Sequence, residues 1–331
     1  MKSIIFNLLI IGGTLMCVTP SFSQKTNISD QPQELGEVSW YRNIDDAKKQ
    51  SAATNKPILV LFQEVPGCAT CRNYGNNVLS HPLLVEVIEN EFVPLTIFNN
   101  KGGDDAKVLK EYGEPSWNNP VLRAINADGK NLVKRHAGRY DVESLMSYME
   151  FVLVAYGNEP PAYVKLFSEE IFKADKNLSE AYYSMYCFWT GEAKLGSIDG
   201  VVSTSPGFMD GREVVKVVYD KELVSDDEIT KEVKSDKFTF VKDPSKFRID
   251  RDPQYYLKKS PYKYLPLTKG QRTKINSAIA NRQNPDNYLS PTQKAWKAEL
   301  ESSRNASKKK AFYDMDILKS WNSYSESFSS L

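Results

Sequence analysis

Two cysteines, Cys68 and Cys71, lie two residues apart in the segment EVPGCATCRNYG, directly after an apolar run. Two thiols at this spacing can open and close a disulfide, form half of a metal site, or lie buried as inert side chains. A structural zinc site needs further ligands at a matching spacing, and no second pair follows in the nearby sequence. We therefore expect a redox pair, with no metal and no cofactor.

The first 23 residues predict a secretory signal peptide. Lys2 provides the positive charge, an apolar stretch follows, and Ser21–Phe22–Ser23 forms a small-x-small cleavage site. No later run approaches the roughly 20 apolar residues that a membrane span requires. We expect an exported protein, periplasmic or secreted after cleavage near Ser23, with residues 24–37 as a flexible lead and without stable membrane insertion.

A third cysteine beyond this leader, Cys187, lies in the segment SMYCFW. The mature chain would then hold one pair of thiols and one solitary thiol. Disulfide frameworks in exported proteins favour even numbers of cysteines, and more of them. The solitary thiol is therefore either reactive or inert, and the cysteine count leaves both readings open.

The composition bounds the size and the class of the protein. The chain has 331 residues, of which 41% are hydrophobic, and this predicts two domains with cores of their own. Its 43 Lys and Arg residues balance 42 Asp and Glu residues. Such a balance produces no broad positive field, which argues against nucleic acid as the main partner.

The elements around the cysteine pair predict an α/β domain. An apolar strand over 56–64 comes directly before the pair, and a second strand covers 93–99. Helices are predicted between and beside these strands, the first with Asn43 as its N-cap. Asp128 and Gly129 predict the turn of a hairpin. The predicted order is helix, strand, helix, strand, helix, hairpin and helix.

That order, with C-x-x-C after the first core strand, resembles the thioredoxin fold over residues 38–157. The resemblance implies that the pair lies at a helix N-terminus, where the helix dipole and the backbone N–H groups favour a thiolate. It also implies Cys68 as the attacking thiol, Cys71 as the resolving thiol, and Pro120 as a cis-proline that faces the pair and the substrate. Ala-Thr stands between the cysteines in place of the family's usual Gly-Pro, so the direction of the redox chemistry stays open.

The second half of the chain predicts a different fold. After a linker helix within 158–180, residues 181–265 predict the order βαββαβ, which is a ferredoxin-like α+β unit. The first of these strands is predicted in AYYSMYCFW, with Cys187 inside it. Residues 266–331 predict a helical C-terminal extension and tail. The N-caps predicted in this extension are Thr268 and Ser290.

The segments CFWTGEA, GVVST and EVVKVVYD, followed by DPQYYLKKSPYKY, resemble peptide methionine sulfoxide reductase A. The resemblance implies that Cys187 attacks the sulfoxide sulfur as the nucleophile and becomes a sulfenic acid. It implies Glu213 as the general acid that protonates the departing oxygen. Phe188 and Trp189 would then form the cradle for the methyl group of the substrate.

The chain departs from that family in several places. The loop between Gly207 and Glu213 is short, and a family tyrosine that helps to hold the oxygen has no counterpart. The C-terminal resolving cysteine is absent, and Tyr264 and Leu265 lie in its region. A sulfenic acid at Cys187 would therefore need a thiol from elsewhere. We hypothesise that the thioredoxin-like domain reduces it within the chain, at the high effective concentration that a tether provides.

These patterns together predict an exported thiol-disulfide oxidoreductase coupled to a peptide methionine sulfoxide reductase-like domain. Its partners would be envelope proteins with oxidised methionine or disulfides, and an upstream thiol reductase. One alternative is a disulfide reductase whose second domain is inactive and only binds partners. Another is a copper-handling binding protein, because Met185-x-Cys187 and the βαββαβ order also resemble heavy-metal-associated domains, although Thr190 replaces the second cysteine of their motif.

Overall fold

The computed structural model describes residues 25–117, 120–172, 177–302, 311–312 and 315–329. The leader assigned to residues 1–23 therefore lies outside the described residues. The helices are α1 (Ile44–Thr54), α2 (Ala69–Asn77), α3 (Pro82–Glu91), α4 (Asp104–Tyr112), α5 (Val142–Tyr156), α6 (Ala162–Ile171), α7 (Phe188–Gly196), α8 (Asp226–Glu232), α9 (Tyr255–Lys258), α10 (Lys269–Ala280), α11 (Pro291–Ser302) and α12 (Ile317–Ser329). The strands are β1 (Ile58–Gln63), β2 (Val93–Phe98), β3 (Val121–Ile125), β4 (His136–Ala137), β5 (Leu178–Ser184), β6 (Val201–Met209), β7 (Arg212–Asp220), β8 (Thr239–Phe240) and β9 (Arg248–Ile249).

The first sheet has the strand order β2-β1-β3-β4 and is covered on both faces. Strand β1 is parallel to β2 and antiparallel to β3, and all six of its residues are buried. Leu59 and Leu61 pack into one hydrophobic cluster, whereas Val60 and Phe62 pack into another on the opposite face. This alternation explains why the sequence of β1 is apolar throughout, since a strand buried on both faces needs no polar side.

The hairpin predicted around Asp128 and Gly129 is only partly correct. The turn is present, with Gly129 at φ +83°, a conformation that favours glycine. The returning strand, however, is reduced to β4 and an isolated bridge between Ile125 and Asn131. The chain leaves the sheet before β4, and Arg135 donates a 2.8 Å hydrogen bond to the buried carboxylate of Glu114.

The second sheet confirms the ferredoxin-like prediction. Its order is β8-β5-β7-β6-β9 and every pairing is antiparallel. With α7 after β5 and α8 after β7, the order is βαββαβ, and β9 adds a short strand at the edge. A two-residue turn joins β6 to β7, and Asp210 and Gly211 both have positive φ there.

The position of Cys187 corrects the sequence prediction. Strand β5 ends at Ser184, where its ladder with β7 ends at Val214, so Cys187 does not lie inside a strand. Cys187 is instead the N-cap residue of α7, and its carbonyl accepts the backbone N–H of Gly191. The solitary thiol therefore lies at the start of a helix, as the cysteine pair does.

The C-terminal helices pack onto the first half of the chain. Leu300 of α11 and Trp321 of α12 belong to the same hydrophobic cluster as Leu145 of α5 and Phe167 of α6. Helix α10 also contacts α7 and β6 of the second sheet. The predicted caps are present here: Thr268 forms a capping box, and the Ser290 hydroxyl accepts the N–H of Gln293. The extension thus forms a bridge between the two sheets, while the domain boundaries themselves stay a prediction.

Candidate redox sites

The cysteine pair lies at the start of α2, directly after the loop that follows β1. Cys68 is the N-cap residue of α2, with extended backbone angles, and Cys71 follows one turn into the helix. Cys68 is exposed and Cys71 is fully buried. The two sulfurs are 3.6 Å apart, which is hydrogen-bond distance for thiols and short enough to close to the roughly 2.05 Å of a disulfide.

The two thiols differ in acidity. The pKa of Cys68 is lowered, chiefly because the backbone N–H of Cys71 donates to its sulfur at the helix start. The pKa of Cys71 is raised to about 11, chiefly because burial disfavours its thiolate. The exposed, more acidic thiol is therefore suited to attack, and the buried thiol to close the disulfide afterwards.

The loop before Cys68 is held by residues that the sequence did not reveal. Glu34 is buried, and its Oε1 accepts the backbone N–H of Gly67 at 2.8 Å. Gln63 is also buried, and its Nε2 donates to the carbonyl oxygens of Glu34 and Cys71. Leu35 is buried as well, so this segment packs against the site in place of the flexible lead that we expected. A contact across 33 residues leaves no local sequence signal.

Pro120 lies at the same edge of the first sheet as the cysteine pair. It is buried and precedes β3, whose Val121 pairs with Phe62 near the carboxyl end of β1. Asn119 lies outside the described residues, and so does the cis bond predicted between it and Pro120. Among the residues that the structure describes, the cis peptide bond is Val65–Pro66. The substrate-facing role of Pro120 stays a prediction.

Cys187 and Glu213 meet at the N-terminal end of α7. Glu213 lies at the start of β7, and its Oε2 accepts the backbone N–H of Phe188, the first residue of α7, at 2.7 Å. Cys187 is half-buried, and the Thr190 hydroxyl donates to its sulfur at 3.5 Å. The two residues that the sulfoxide reductase resemblance pairs, about 25 positions apart in sequence, are thus brought to one place by the β5–α7–β7 packing.

Aromatic rings line the same end of α7. Phe188 is buried against Phe208, with ring centroids 5.3 Å apart. Trp189 stacks on Tyr255, with centroids 4.1 Å apart and planes 16° from parallel. Tyr255 was missed by sequence reasoning, although it lies in the segment DPQYYLKKSPYKY on which the resemblance depended. The stack gives the site an apolar wall beside the thiol-bearing helix start.

Glu192 connects the segment that carries Tyr255 to α7. It is fully buried one turn after Phe188, and both of its carboxylate oxygens accept the backbone N–H of Gln254, at 2.9 and 3.1 Å. Burial raises the pKa of Glu192 to about 8, against the opposing effect of this hydrogen bond. Because Gln254 precedes Tyr255, the carboxyl group fixes the segment whose ring lies on Trp189.

The structure therefore assembles two thiol sites and keeps them on different sheets. Cys68 and Cys71 come together at α2, and Cys187, Glu213, Phe188 and Trp189 come together at α7. Among the described helices, we find none with both the length and the apolar character needed to cross a bilayer.

Comparison with known proteins gives one family match and two partial similarities. Residues 39–127 match the model of a thioredoxin-like family. A curated relative, the peptide methionine sulfoxide reductase MsrA of Methanococcus maripaludis (strain C7 / ATCC BAA-1331), is 33% identical over 70 residues, which cover 16% of this chain and 45% of that protein. The chain thus spans less than half of the length of this relative. A solved structure called DsbH oxidoreductase shares 18% identity at a TM-score of 0.30, covering 38% of this chain and 90% of its own.

The family model defines the class of residues 39–127. Residues 39–127 form a thioredoxin-like domain that carries a C-x-x-C dithiol at a helix start. A partial similarity to a methionine sulfoxide reductase accompanies it in the same chain.

Proposed function

We propose that this protein is an exported thiol-disulfide oxidoreductase whose dithiol supplies electrons to a methionine sulfoxide reductase-like site. The observation that carries the proposal is the pairing at α7, where a solitary thiol and the Glu213 carboxyl group share one helix start. Oxidised methionine in envelope proteins would be the substrate, and an upstream thiol reductase the source of electrons. The export rests on the leader-like sequence of residues 1–23.

The first step of this proposal takes place at Cys187. Its thiolate attacks the sulfoxide sulfur to form an S–S bond, and the oxygen, which takes one proton from Glu213 and one from solvent, leaves as water when the S–O bond breaks. Water then attacks the sulfur of Cys187, the S–S bond breaks, and a proton returns to solvent. The products are methionine and a sulfenic acid on Cys187, so the substrate gains two electrons and the thiol loses two. The wall of Phe188, Trp189 and Tyr255 offers an apolar surface for the substrate methyl group.

The second step regenerates Cys187. Cys68 attacks the sulfur of the sulfenic acid, and the hydroxyl group takes a proton and leaves as water when the Cys68–Cys187 mixed disulfide forms. Cys71 then attacks Cys68, giving a Cys68–Cys71 disulfide and returning Cys187 as a thiol. The 3.6 Å separation of the two sulfurs supports this resolution step.

The packing between the sheets constrains how these thiols meet. Helices α6, α10, α11 and α12 form a packed bridge, so the second sheet is not carried on a long free tether. We propose that Cys68 reaches Cys187 within one chain after a movement of this bridge. The rate of disulfide formation would then be independent of protein concentration, whereas transfer between chains would rise with it.

The test uses reduced full-length protein freed of reductant and given one equivalent per chain of free methionine-S-sulfoxide. We expect one methionine per chain, a Cys68–Cys71 disulfide, and little dimedone labelling of Cys187, because the sulfenic acid is consumed. Cys68→Ser should also release one methionine and then carry the dimedone label on Cys187. Absence of methionine with both proteins, or an equal label in both, would contradict the proposal.

One observation favours a second candidate, a disulfide reductase whose second domain only binds partners. The turn between β6 and β7 is a two-residue Asp210–Gly211 link, which leaves that edge without the longer loop of the sulfoxide reductases. In this case Cys68 and Cys71 would reduce protein disulfides, and Cys187→Ser would have no effect. Retained insulin reduction together with no release of methionine would favour this candidate.

A further inference from the structure

Glu64 lies beside the cysteine pair and has no part in the steps above. One carboxylate oxygen of Glu64 and the sulfurs of Cys68 and Cys71 all lie within 4.8 Å of one another. Metal-ligating side chains are those of His, Cys, Asp and Glu. Among the described residues, Glu64, Cys68 and Cys71 form the group of three such side chains that is compact enough to bind one cation. The sequence did not indicate it, because Glu64 is separated from Cys68 by a loop whose path only the structure gives.

The sulfur geometry matches a tetrahedral metal. With Zn–S bonds of about 2.3 Å, two thiolates on a tetrahedral zinc ion lie about 3.8 Å apart. The sulfurs of Cys68 and Cys71 are 3.6 Å apart, so both can bind one ion with little movement of α2. The Glu64 oxygen lies within 4.8 Å of both sulfurs, so it must move closer to form a Zn–O bond of about 2.0–2.2 Å.

The chemistry of the three ligand atoms indicates which metal ion would bind. Two thiolates and one carboxylate form a mixed set that suits zinc and other thiophilic divalent ions, whereas magnesium and calcium prefer oxygen ligands alone. Cys68 is exposed, which leaves an entry path and room for water in the fourth position. Gly67 helps to keep the buried sulfur reachable, because a Cβ there would lie 2.6 Å from the Cβ of Cys71 and 3.1 Å from its sulfur.

We propose that the reduced form of this protein binds one Zn²⁺ ion through Cys68, Cys71 and Glu64. Each thiol releases a proton to solvent as its bond to the metal forms, and no electrons move. Closing the disulfide removes two of the three ligands, so metal binding and oxidation of the pair exclude one another. The metal site goes beyond the proposed function, and its consequence is that zinc holds the dithiol reduced and stops it from delivering electrons.

The test measures binding of Zn²⁺ alone to reduced full-length protein, in competition with a chromophoric chelator. Cobalt(II) serves as a second probe, because thiolate ligands give it an intense sulfur-to-metal absorption. Glu64→Gln removes the proposed oxygen ligand. Glu111→Gln is the matched control, since Glu111 is exposed on α4. Cys187→Ser tests whether the third thiol takes part, and circular dichroism verifies that each variant is folded.

We expect one Zn²⁺ per reduced chain and none after oxidation of the pair. Glu64→Gln should weaken binding at least about tenfold, since even outer-shell partners of metal sites are worth about 10–100-fold. Glu111→Gln and Cys187→Ser should bind as tightly as the unaltered protein. Equal affinity with and without the Glu64 carboxylate, retention of zinc by the oxidised protein, or loss of zinc with Cys187→Ser would each overturn the proposal. None of these results depends on sulfoxide reduction. The zinc site and the proposed function can therefore be refuted independently of one another.

Discussion

The backbone N–H of Phe188 donates a 2.7 Å hydrogen bond to Oε2 of Glu213, directly after the cysteine at the N-cap of α7. This contact joins the start of a helix to the neighbouring strand and places a carboxyl group at the only stretch of α7 where backbone N–H groups lack intrahelical partners. A thiol and an acid are thereby held at one helix start, which is the arrangement that sulfoxide reduction requires.

Glu213→Gln should lower methionine sulfoxide turnover by about 10²–10⁴-fold, because the amide cannot donate the proton that the departing oxygen needs. Stability should change little, since the amide oxygen can still accept the N–H of Phe188. Turnover is measured as methionine released, with unfolding by urea as the stability measurement. Glu232→Gln, at an exposed position of α8, is the control and should behave like the unaltered protein. Normal turnover in Glu213→Gln would remove the carboxyl group from the mechanism.

Alkylation should distinguish the two thiols of the pair. Cys68 is exposed and its pKa is lowered, whereas burial raises the pKa of Cys71 to about 11. Iodoacetamide should therefore label Cys68 first near neutral pH, and its rate should level off at a lower pH than for an ordinary cysteine. Peptide mass spectrometry gives the rate at each site. Cys71 should remain slow in Cys68→Ser, and comparable rates at both positions would show that the acidity difference is absent.

The buried Glu34 should contribute to the stability of the folded protein. Glu34→Ala leaves the N–H of Gly67 without its acceptor, and loss of such a partner costs about 1–3 kcal/mol. The free energy of unfolding in urea, measured on the reduced protein, checks this. Glu37→Ala, three residues further on and exposed, should change stability far less. If the two variants were equally stable, the segment before α1 would not be supporting the cysteine loop.

Glu192 should make stability depend on pH. Its pKa is raised from 4.5 to about 8 by burial, so the folded protein holds this proton over a range in which the unfolded chain has lost it. The stabilising effect of the protonated form is complete below about pH 4.5 and is lost as the pH rises through about 8. Glu192→Gln should abolish that loss.

The measurement is the free energy of unfolding of both proteins at several pH values. The difference in favour of Glu192→Gln should grow between pH 4.5 and 8, at up to about 1.4 kcal/mol per pH unit. Parallel curves for the two proteins would contradict the raised pKa of Glu192.

The elements that the sequence predicted well are those with local signals. Strand β1 is an apolar run, and Asn43 and Thr268 both cap helices through side-chain hydrogen bonds to nearby backbone N–H groups. The resemblance to the thioredoxin fold implies the helix start at Cys68, and the structure has α2 begin directly after this residue. Periodicity and capping act over a few residues, so one sequence contains the information.

The contacts that the sequence did not reveal are long-range. The Glu34 carboxylate accepts the backbone N–H of Gly67, and a carboxylate oxygen of Glu64 lies within 4.8 Å of two cysteine sulfurs. The fold of the chain, rather than the sequence spacing of these residues, brings them together. The segment AYYSMYCFW predicts a strand that includes Cys187, whereas the ladder with β7 ends at Ser184 and Cys187 caps α7. The end of the β5–β7 ladder, rather than the strand propensity of the segment, thus determines the local structure at Cys187.

The most direct test of electron transfer between the two sites is to trap the mixed disulfide. Cys71→Ser removes the resolving thiol, so Cys68 should remain bonded to Cys187 after one equivalent of methionine-S-sulfoxide. Digestion without reductant and mass spectrometry should show a peptide that joins residues 68 and 187, formed at a rate independent of protein concentration. If Cys187 instead stays as a sulfenic acid while Cys68 remains a thiol, the dithiol does not serve this site and the account is wrong.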